Sequence, residues 1–137
     1  MIVLCDTNVL IDQLAGGARG EVARARLAAL RRNGHSVVLV PQILAEFFVV
    51  CTKPKTSNGL GLEADAATAA IRYLMAQLQL VYDDASTVNA WLALVAGGVK
   101  GKRAHDARIA AFAVAGKVDA VLTSNVSDFT PFGIRLA

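Results

Sequence analysis

The sequence predicts an α/β fold of three layers, a central, mostly parallel sheet of four to five strands flanked by helices on both faces. Two observations carry this. Ile2-Val3-Leu4-Cys5, Ser36-Val37-Val38-Leu39-Val40 and Ala120-Val121-Leu122-Thr123 are short, nearly continuous apolar runs. Strands buried on both faces read this way, whereas half-exposed strands alternate. Longer stretches with helical spacing separate these runs, so strands and helices take turns along the chain. The 137 residues suit a single domain spanning 1–137 with a sizeable core. Apolar residues make up 55% and aromatics 6%, which excludes disorder and implies a core mainly of Ala, Val and Leu.

Taken in order, the first strand runs into Asp6, and apolar spacing continues through Leu10 and Ile11 until Gly16-Gly17. Glu21 to Arg32 reads as an amphipathic helix with Val22, Leu27 and Leu30 on one face and arginines on the other. Asn33-Gly34 stops it. The second strand is Ser36–Val40, and Pro41 suits the first turn of the next helix. Gln42 to Thr52 is apolar almost all round, with Glu46 as its only charge. Lys53 to Gly61 is rich in turn residues and reads as the most mobile loop. A helix over Glu63–Gln79 follows, then a short strand at Leu78–Tyr82. Asp83 and Asp84 look like caps for a helix from Ser86 to Ala96, ended by Gly97-Gly98. A basic link over Val99–Arg103 leads into a helix at Ala104–Ala115, with Gly116 as its cap. After the strand ending at Thr123, Ser124–Pro131 is a polar turn region, and Ile134–Leu136 is a last edge strand.

The apolar stretches are short and interrupted, so no membrane-spanning helix is expected. The first strand lacks the basic flank of a secretion signal. Cys5 and Cys51 lie in apolar runs and read as buried hydrophobes, not a disulfide framework. A cytoplasmic location is the expectation from these features. The formal net charge is +3, a mild basicity that permits a polyanionic partner. Its cations gather at Arg19–Arg32, Lys53–Lys55 and Lys100–Arg108, while the acids are scattered.

Most of the eleven acids have a structural explanation. Glu21, Glu63 and Asp65 suit first helical turns, Asp119 opens a strand at the surface, and Asp12 fits either a turn cap or a place near a site. Four others stand out. Asp6 ends the first strand, where open parallel sheets bind ligands. Glu46 sits alone in an apolar helix, and a buried Glu needs a partner, either an arginine or a metal. Asp106 shares a stripe with Ile109, Ala110 and Ala113. Asp128 follows the strand ending at Thr123, in a turn that an Asp would also suit for local reasons.

If these four converge, electrostatics demands a counter-charge. Two carboxylates 4 Å apart repel by roughly 4 kcal/mol at an effective dielectric near 20. All four stay ionised only with a cation present, or else their pKa values rise. Oxygen donors without paired Cys or His select Mg²⁺ or Mn²⁺ over zinc. Such an ion beside basic residues suits phosphodiester hydrolysis. Neither a P-loop nor a dinucleotide-binding glycine motif is present.

The same residues carry a resemblance. Asp6-Thr7-Asn8-Val9-Leu10, Leu44-Ala45-Glu46-Phe47, Arg103-Ala104-His105-Asp106-Ala107-Arg108-Ile109-Ala110 and Leu122-Thr123-Ser124-Asn125-Val126-Ser127-Asp128-Phe129 stand in the order seen in PIN-domain ribonucleases. Among these the chain resembles the VapC-type toxins of bacterial toxin–antitoxin pairs. The resemblance implies a PIN-like fold and a Mg²⁺- or Mn²⁺-dependent endoribonuclease. It further implies a homodimer restrained by a cognate antitoxin. It makes Asp6, Glu46 and Asp106 metal-site acids, with Asp128 a fourth, although some members place an acid where this chain has Asn125. Asn8, Thr123 and Asn125 would orient those groups or water. Lys100, Lys102, Arg103 and Arg108 are candidates for RNA phosphate contacts, equally readable as a solvated basic face. His105 reads as a capping or surface residue, and Trp91 and Tyr73 as core or interface.

Two other functions compete. A phosphatase with Asp6 as nucleophile needs a second Asp two residues on, where this chain has Asn8. A module that grips RNA or protein without cutting would have no use for a nearly complete acid set, which repels phosphate unless a metal is bound.

Overall fold

The structure is a computed structural model describing residues 1–137. It has four strands and seven α-helices in the order β1 (Ile2–Cys5), α1 (Thr7–Ala15), α2 (Gly17–Arg32), β2 (Ser36–Leu39), α3 (Pro41–Thr52), α4 (Ala64–Gln77), β3 (Gln79–Leu80), α5 (Ala85–Ala96), α6 (Arg103–Val114), β4 (Ala120–Leu122) and α7 (Val126–Phe129). The strands form one sheet in the order β3-β2-β1-β4. Every pairing is parallel, with Val3 opposite both Val37 and Ala120, and Leu39 opposite Leu80. The α/β fold with a parallel sheet is therefore the observed one.

The strand order locates the site. The chain steps outward from β1 to β2 to β3, then returns past β1 to lay down β4. Right-handed crossovers put α1–α4 on one face of the sheet and α5–α6 on the other. That reversal makes the carboxyl ends of β1 and β4 a topological switch point, where a crevice opens. A core cluster of 25 buried residues fills the layers. Val, Leu and Ala dominate it, as composition predicts, and Phe47, Phe112 and Phe129 are its largest members.

Several elements differ from the sequence expectation. The α2 helix begins at Gly17, directly after Gly16, so the glycine pair starts a helix instead of spacing one off. Gly16 and Gly17 both have positive φ. Glu21 therefore lies beyond the first turn. Val22 is 59% exposed, and Gly20, Ala23 and Leu27 are the buried residues. Gly20 belongs to that stripe for a packing reason: a Cβ there would come 2.7 Å from the Asp12 carbonyl oxygen. A small residue is neutral in a hydropathy pattern, which is why periodicity puts Val22 on the buried face instead.

The Lys53–Gly61 segment is stitched down, not loose. Gly61 N–H donates to the Lys53 carbonyl, Leu60 N–H to that of Val50 and Leu62 N–H to that of Cys51, with a 3₁₀ turn at Lys55–Ser57. The third strand shrinks to Gln79–Leu80. The expected last edge strand is reduced to one parallel bridge, Leu136 against Val121. The polar turn region holds α7 and a 3₁₀ turn at Thr130–Phe132. Asp84 caps α5 with a full capping box through Thr87, but Asp83 does not cap; it pairs with Arg108 at 2.8 Å. Hydrogen bonds with Lys117, Ser86 and Thr87 hold the Asp84 carboxyl well below the usual carboxylate range. No helix is long and apolar enough to cross a membrane.

Candidate active site

The end of β1 delivers Asp6, whose backbone N–H donates to the Leu122 carbonyl at 2.9 Å and so ties it to β4. Asp6 is the N-cap of α1. Its Oδ1 accepts from the N–H of Thr7, the first residue of the helix, at 2.8 Å. Its Oδ2 accepts from Thr123 Oγ1 at 2.8 Å and from Asn8 Nδ2 at 3.0 Å. Asn8 also accepts from Ser124 N–H at 3.0 Å. Thus Asn8 and Thr123 brace Asp6 across β1 and β4, and Asp6 is only 8% exposed.

Glu46 arrives from the middle of α3. Thr7 Oγ1 donates to its Oε2 at 2.8 Å, and Gln42 Nε2 donates to its Oε1 at 2.8 Å. The same Gln42 nitrogen donates to the His105 carbonyl at 3.0 Å, joining α3 to the first turn of α6. Asp106 is the acid of that turn, and α7 brings Asp128. All four carboxylates line one cavity of about 670 Å³, together with Asp12, Asn125, His105 and Arg108.

None of the four is in an ion pair; the only two in the molecule are Arg108–Asp83 and Lys117–Asp84. The arginine alternative for Glu46 is therefore not realised. The crowded charge raises the cost of ionising these acids. Asp106 is pushed up to about 6 by burial first, then by the charges of Asp128 and Asp6, with Arg103 opposing. Burial also raises Asp6, and Glu46 adds to the rise, against the hydrogen bonds from Thr123, Thr7 and Asn8 that lower it. These are uncompensated carboxylates pressed into partial desolvation. No three of them stand close enough to form a ready-made cation cage. As a donor set, though, four oxygen ligands with no cation partner fit a hard divalent ion and not a soft one.

Of the remaining predicted residues, Asn125 lines the cavity and its backbone N–H donates to Thr123 Oγ1 at 3.0 Å. Its side chain makes no bond to the acids. Lys100 and Lys102 are exposed just ahead of α6. Arg103 donates to the Asp128 carbonyl at 3.1 Å and lies over the Phe132 ring. Arg108 is held by Asp83.

Sequence reasoning passes over Thr7 and Gln42. A signal exists for Gln42: it is the one polar residue a helical turn before Glu46 on an apolar helix, the spacing at which side chains meet. Its Oε1 is buried without a partner. Flipping the amide would set that oxygen against Glu46 and the His105 carbonyl, so the observed orientation keeps two bonds at the cost of one unmade. Cys5, beside Asp6, plays no such part; burial pushes its thiol far above the ordinary range.

A family model described as the PIN domain matches residues 2–127. The chain belongs to the PIN-domain family. Among curated proteins, none matches it significantly by sequence. Solved structures similar to this PIN domain include VapBC2 from Rickettsia felis bound to a promoter DNA fragment, at 18% identity and a TM-score of 0.76. That match covers 100% of this chain and 98% of the other. Another is VapC20 from Mycobacterium tuberculosis, described as a sarcin-ricin loop cleaving toxin, at 18% identity and 0.70, covering 98% of each. A third is a toxin–antitoxin complex from Klebsiella pneumoniae, at 21% and 0.65, covering 93% and 89%. At these identities the likeness is one of fold.

Proposed function

We propose that the chain is an endoribonuclease dependent on Mg²⁺ or Mn²⁺, and the toxin of a toxin–antitoxin pair. The observation that carries the reading is the convergence of Asp6, Glu46, Asp106 and Asp128 on one cavity with no cation paired to any of them. These four would hold the metal, which when bound would lower the pKa of a water and neutralise charge developing on the phosphate. The chain's own work is placement. Thr123 and Asn8 fix Asp6, while Thr7 and Gln42 fix Glu46, so the oxygens presented to the ion keep their aim. Lys100, Lys102 and Arg103 offer positive charge around the start of α6 for a polyanion. The toxin assignment and an antitoxin partner draw on the similar solved structures, one described as a toxin–antitoxin complex and another as a sarcin-ricin loop cleaving toxin. Homodimerisation follows from the family resemblance. A cytoplasmic site of action and a single-domain chain belong to the same proposal.

The deciding experiment is an RNA digest with mapped ends. The purified chain should cut internally with Mg²⁺ or Mn²⁺ and stop with chelator. Cutting indifferent to chelator, or absent under all metals, refutes the reading. Gln42→Leu should melt within about 1 kcal/mol of wild type, since it removes an unpaired acceptor along with two donated bonds. Its kcat should fall about tenfold because Glu46 loses one of its two donors. Replacing Lys100 and Lys102 together by Ala should weaken RNA binding measured on an uncut complex. The slope of log K against log salt should flatten by about 1.4, at ~0.7 for each single-strand phosphate that is no longer neutralised. An unchanged slope would assign these lysines to the solvated surface.

A further inference from the structure

Beside the carboxylate cavity lies a second one of about 380 Å³, within the ~300–1,000 Å³ span of small-molecule sites. His105 and Arg108 line both, so the second opens next to where the reacting phosphate would lie. Its walls are of another kind. Trp91, Val88 and Ala104 supply apolar surface from α5 and α6. Trp91 is the only tryptophan in the chain and is half-buried. Its Nε1–H donates to the Ala104 carbonyl at 2.8 Å. The indole is therefore pinned and its one donor already used, leaving ring surface for the cavity.

Opposing charge is balanced here. Arg108 grips Asp83 through Nη2 at 2.8 Å and Nε at 3.4 Å, with both side chains still partly exposed, 42% and 24%. The guanidinium plane is held in place, and the pair adds no net charge. A fixed aromatic ring, a fixed planar cation and a carboxylate acceptor around an apolar wall make up the set that receives an unstacked nucleobase. Buried core positions would instead have closed over the ring.

We propose that this second cavity is a base-binding subsite, which takes the base of the nucleotide next to the phosphate at the carboxylate cavity by stacking it on Trp91. The proposal rests on the nucleic-acid reading above and adds the residues that grip the substrate beside the cut. It also reassigns Trp91, expected from sequence to serve core or interface. Its hydrogen bond to Ala104 accounts for that expectation on one side, and the cavity supplies the other.

Trp91 is its own reporter, because no other tryptophan contributes fluorescence. The full chain carrying Asp6→Asn, to prevent cutting, is titrated with short single-stranded RNA and with an abasic ribose-phosphate polymer of equal length. Anisotropy of a labelled strand gives binding independently. The expected result is quenching of Trp91 by RNA but not by the abasic polymer. Trp91→Leu should then weaken RNA binding roughly tenfold or more, and Trp91→Phe should keep most of it. RNA that binds without changing the fluorescence overturns the proposal, as does RNA that does not bind. A fluorescence change that follows protein concentration alone also overturns it and assigns the cavity to contact between copies of the chain. The nuclease reading fails separately. Base-dependent quenching with no cutting by wild type keeps the subsite and removes the hydrolysis, whereas cutting without quenching does the reverse.

Discussion

Asp6→Asn is expected to lower RNA cleavage by about a thousandfold or more while leaving the protein folded. The size follows from the role proposed for the cation, several kcal/mol of charge stabilisation in the transition state. Asp6 is the most enclosed of the four acids and the one held by three donors: Thr7 N–H, Thr123 Oγ1 and Asn8 Nδ2. The substitution is chosen because it separates charge from architecture. Asn keeps an Oδ1 acceptor in the same place, so Thr7 N–H keeps its partner. The new amide faces Thr123 and Asn8, which both donate to Oδ2 in the native protein. Thr123 Oγ1 already accepts from Asn8 Nδ2 at 3.2 Å and from Asn125 N–H at 3.0 Å, and Asn8 cannot flip without losing Ser124 N–H. Against these two poor contacts, a desolvated charge is removed. The two effects oppose each other, so the melting temperature should stay within ~4 °C of wild type, about 1 kcal/mol. Asp6→Ala lacks this property: it deletes the acceptor of Thr7 N–H and of the Thr123 hydroxyl, and a loss of activity there would be uninterpretable. Mapped digestion and a thermal melt on the same preparation give both numbers. Full activity in Asp6→Asn would remove Asp6 from the chemistry.

The sequence carries the candidate site further than it carries the fold's edges, for identifiable reasons. Asp6, Glu46 and Asp106 are legible because each breaks an apolar context, and a buried carboxylate without a partner is an expensive arrangement, whereas Asp128 stands out only by its place after the strand ending at Thr123. That all four line one cavity follows from the strand order, with β4 beside β1, and strand order is a long-range fact that spacing does not encode. Position alone groups Arg108 with the basic face. Only the folding of Asp83 against α6 shows that its charge is already matched. Glycine positions mislead in the opposite sense. Gly16-Gly17 reads as a break, but the pair turns the chain directly from α1 into α2. The last strand fails on length: with only Leu136 bridged to Val121, the short segment at 134–136 has too few partners to form a ladder.

The second large effect expected is on stability, and its sign depends on whether a cation is present. In the metal-free protein burial, then the charges of Asp128 and Asp6, push Asp106 from its ordinary 3.8 up to about 6. A folded value above the unfolded one means the native state holds the proton more tightly. From this group, stability is greatest in acid and is lost as pH rises from about 4 to about 6. Above that the full penalty is present. Two units would be worth about 3 kcal/mol for a dry site, but Asp106 is partly exposed and solvent screening reduces this to roughly 1 kcal/mol. Asp106→Asn should therefore raise the metal-free melting temperature near neutral pH by ~4 °C, and the gain should vanish below about pH 4. Cation binding, as proposed, should invert the order. An ion at a hundredfold excess over its Kd stabilises the native state by about 2.7 kcal/mol, or ~10 °C here. Because the ligand oxygens must be ionised, that gain should shrink by about 1.4 kcal/mol for each pH unit below 6. Asp106→Asn should forfeit most of it at any pH. The variant is thus the more stable protein in chelator and the less stable one in saturating Mn²⁺. Melting curves for both proteins, with and without the metal, near pH 5 and pH 7.5 would show that crossing. Parallel responses in wild type and variant would mean that Asp106 takes no part in holding the ion, and the cavity's charge would then need another explanation.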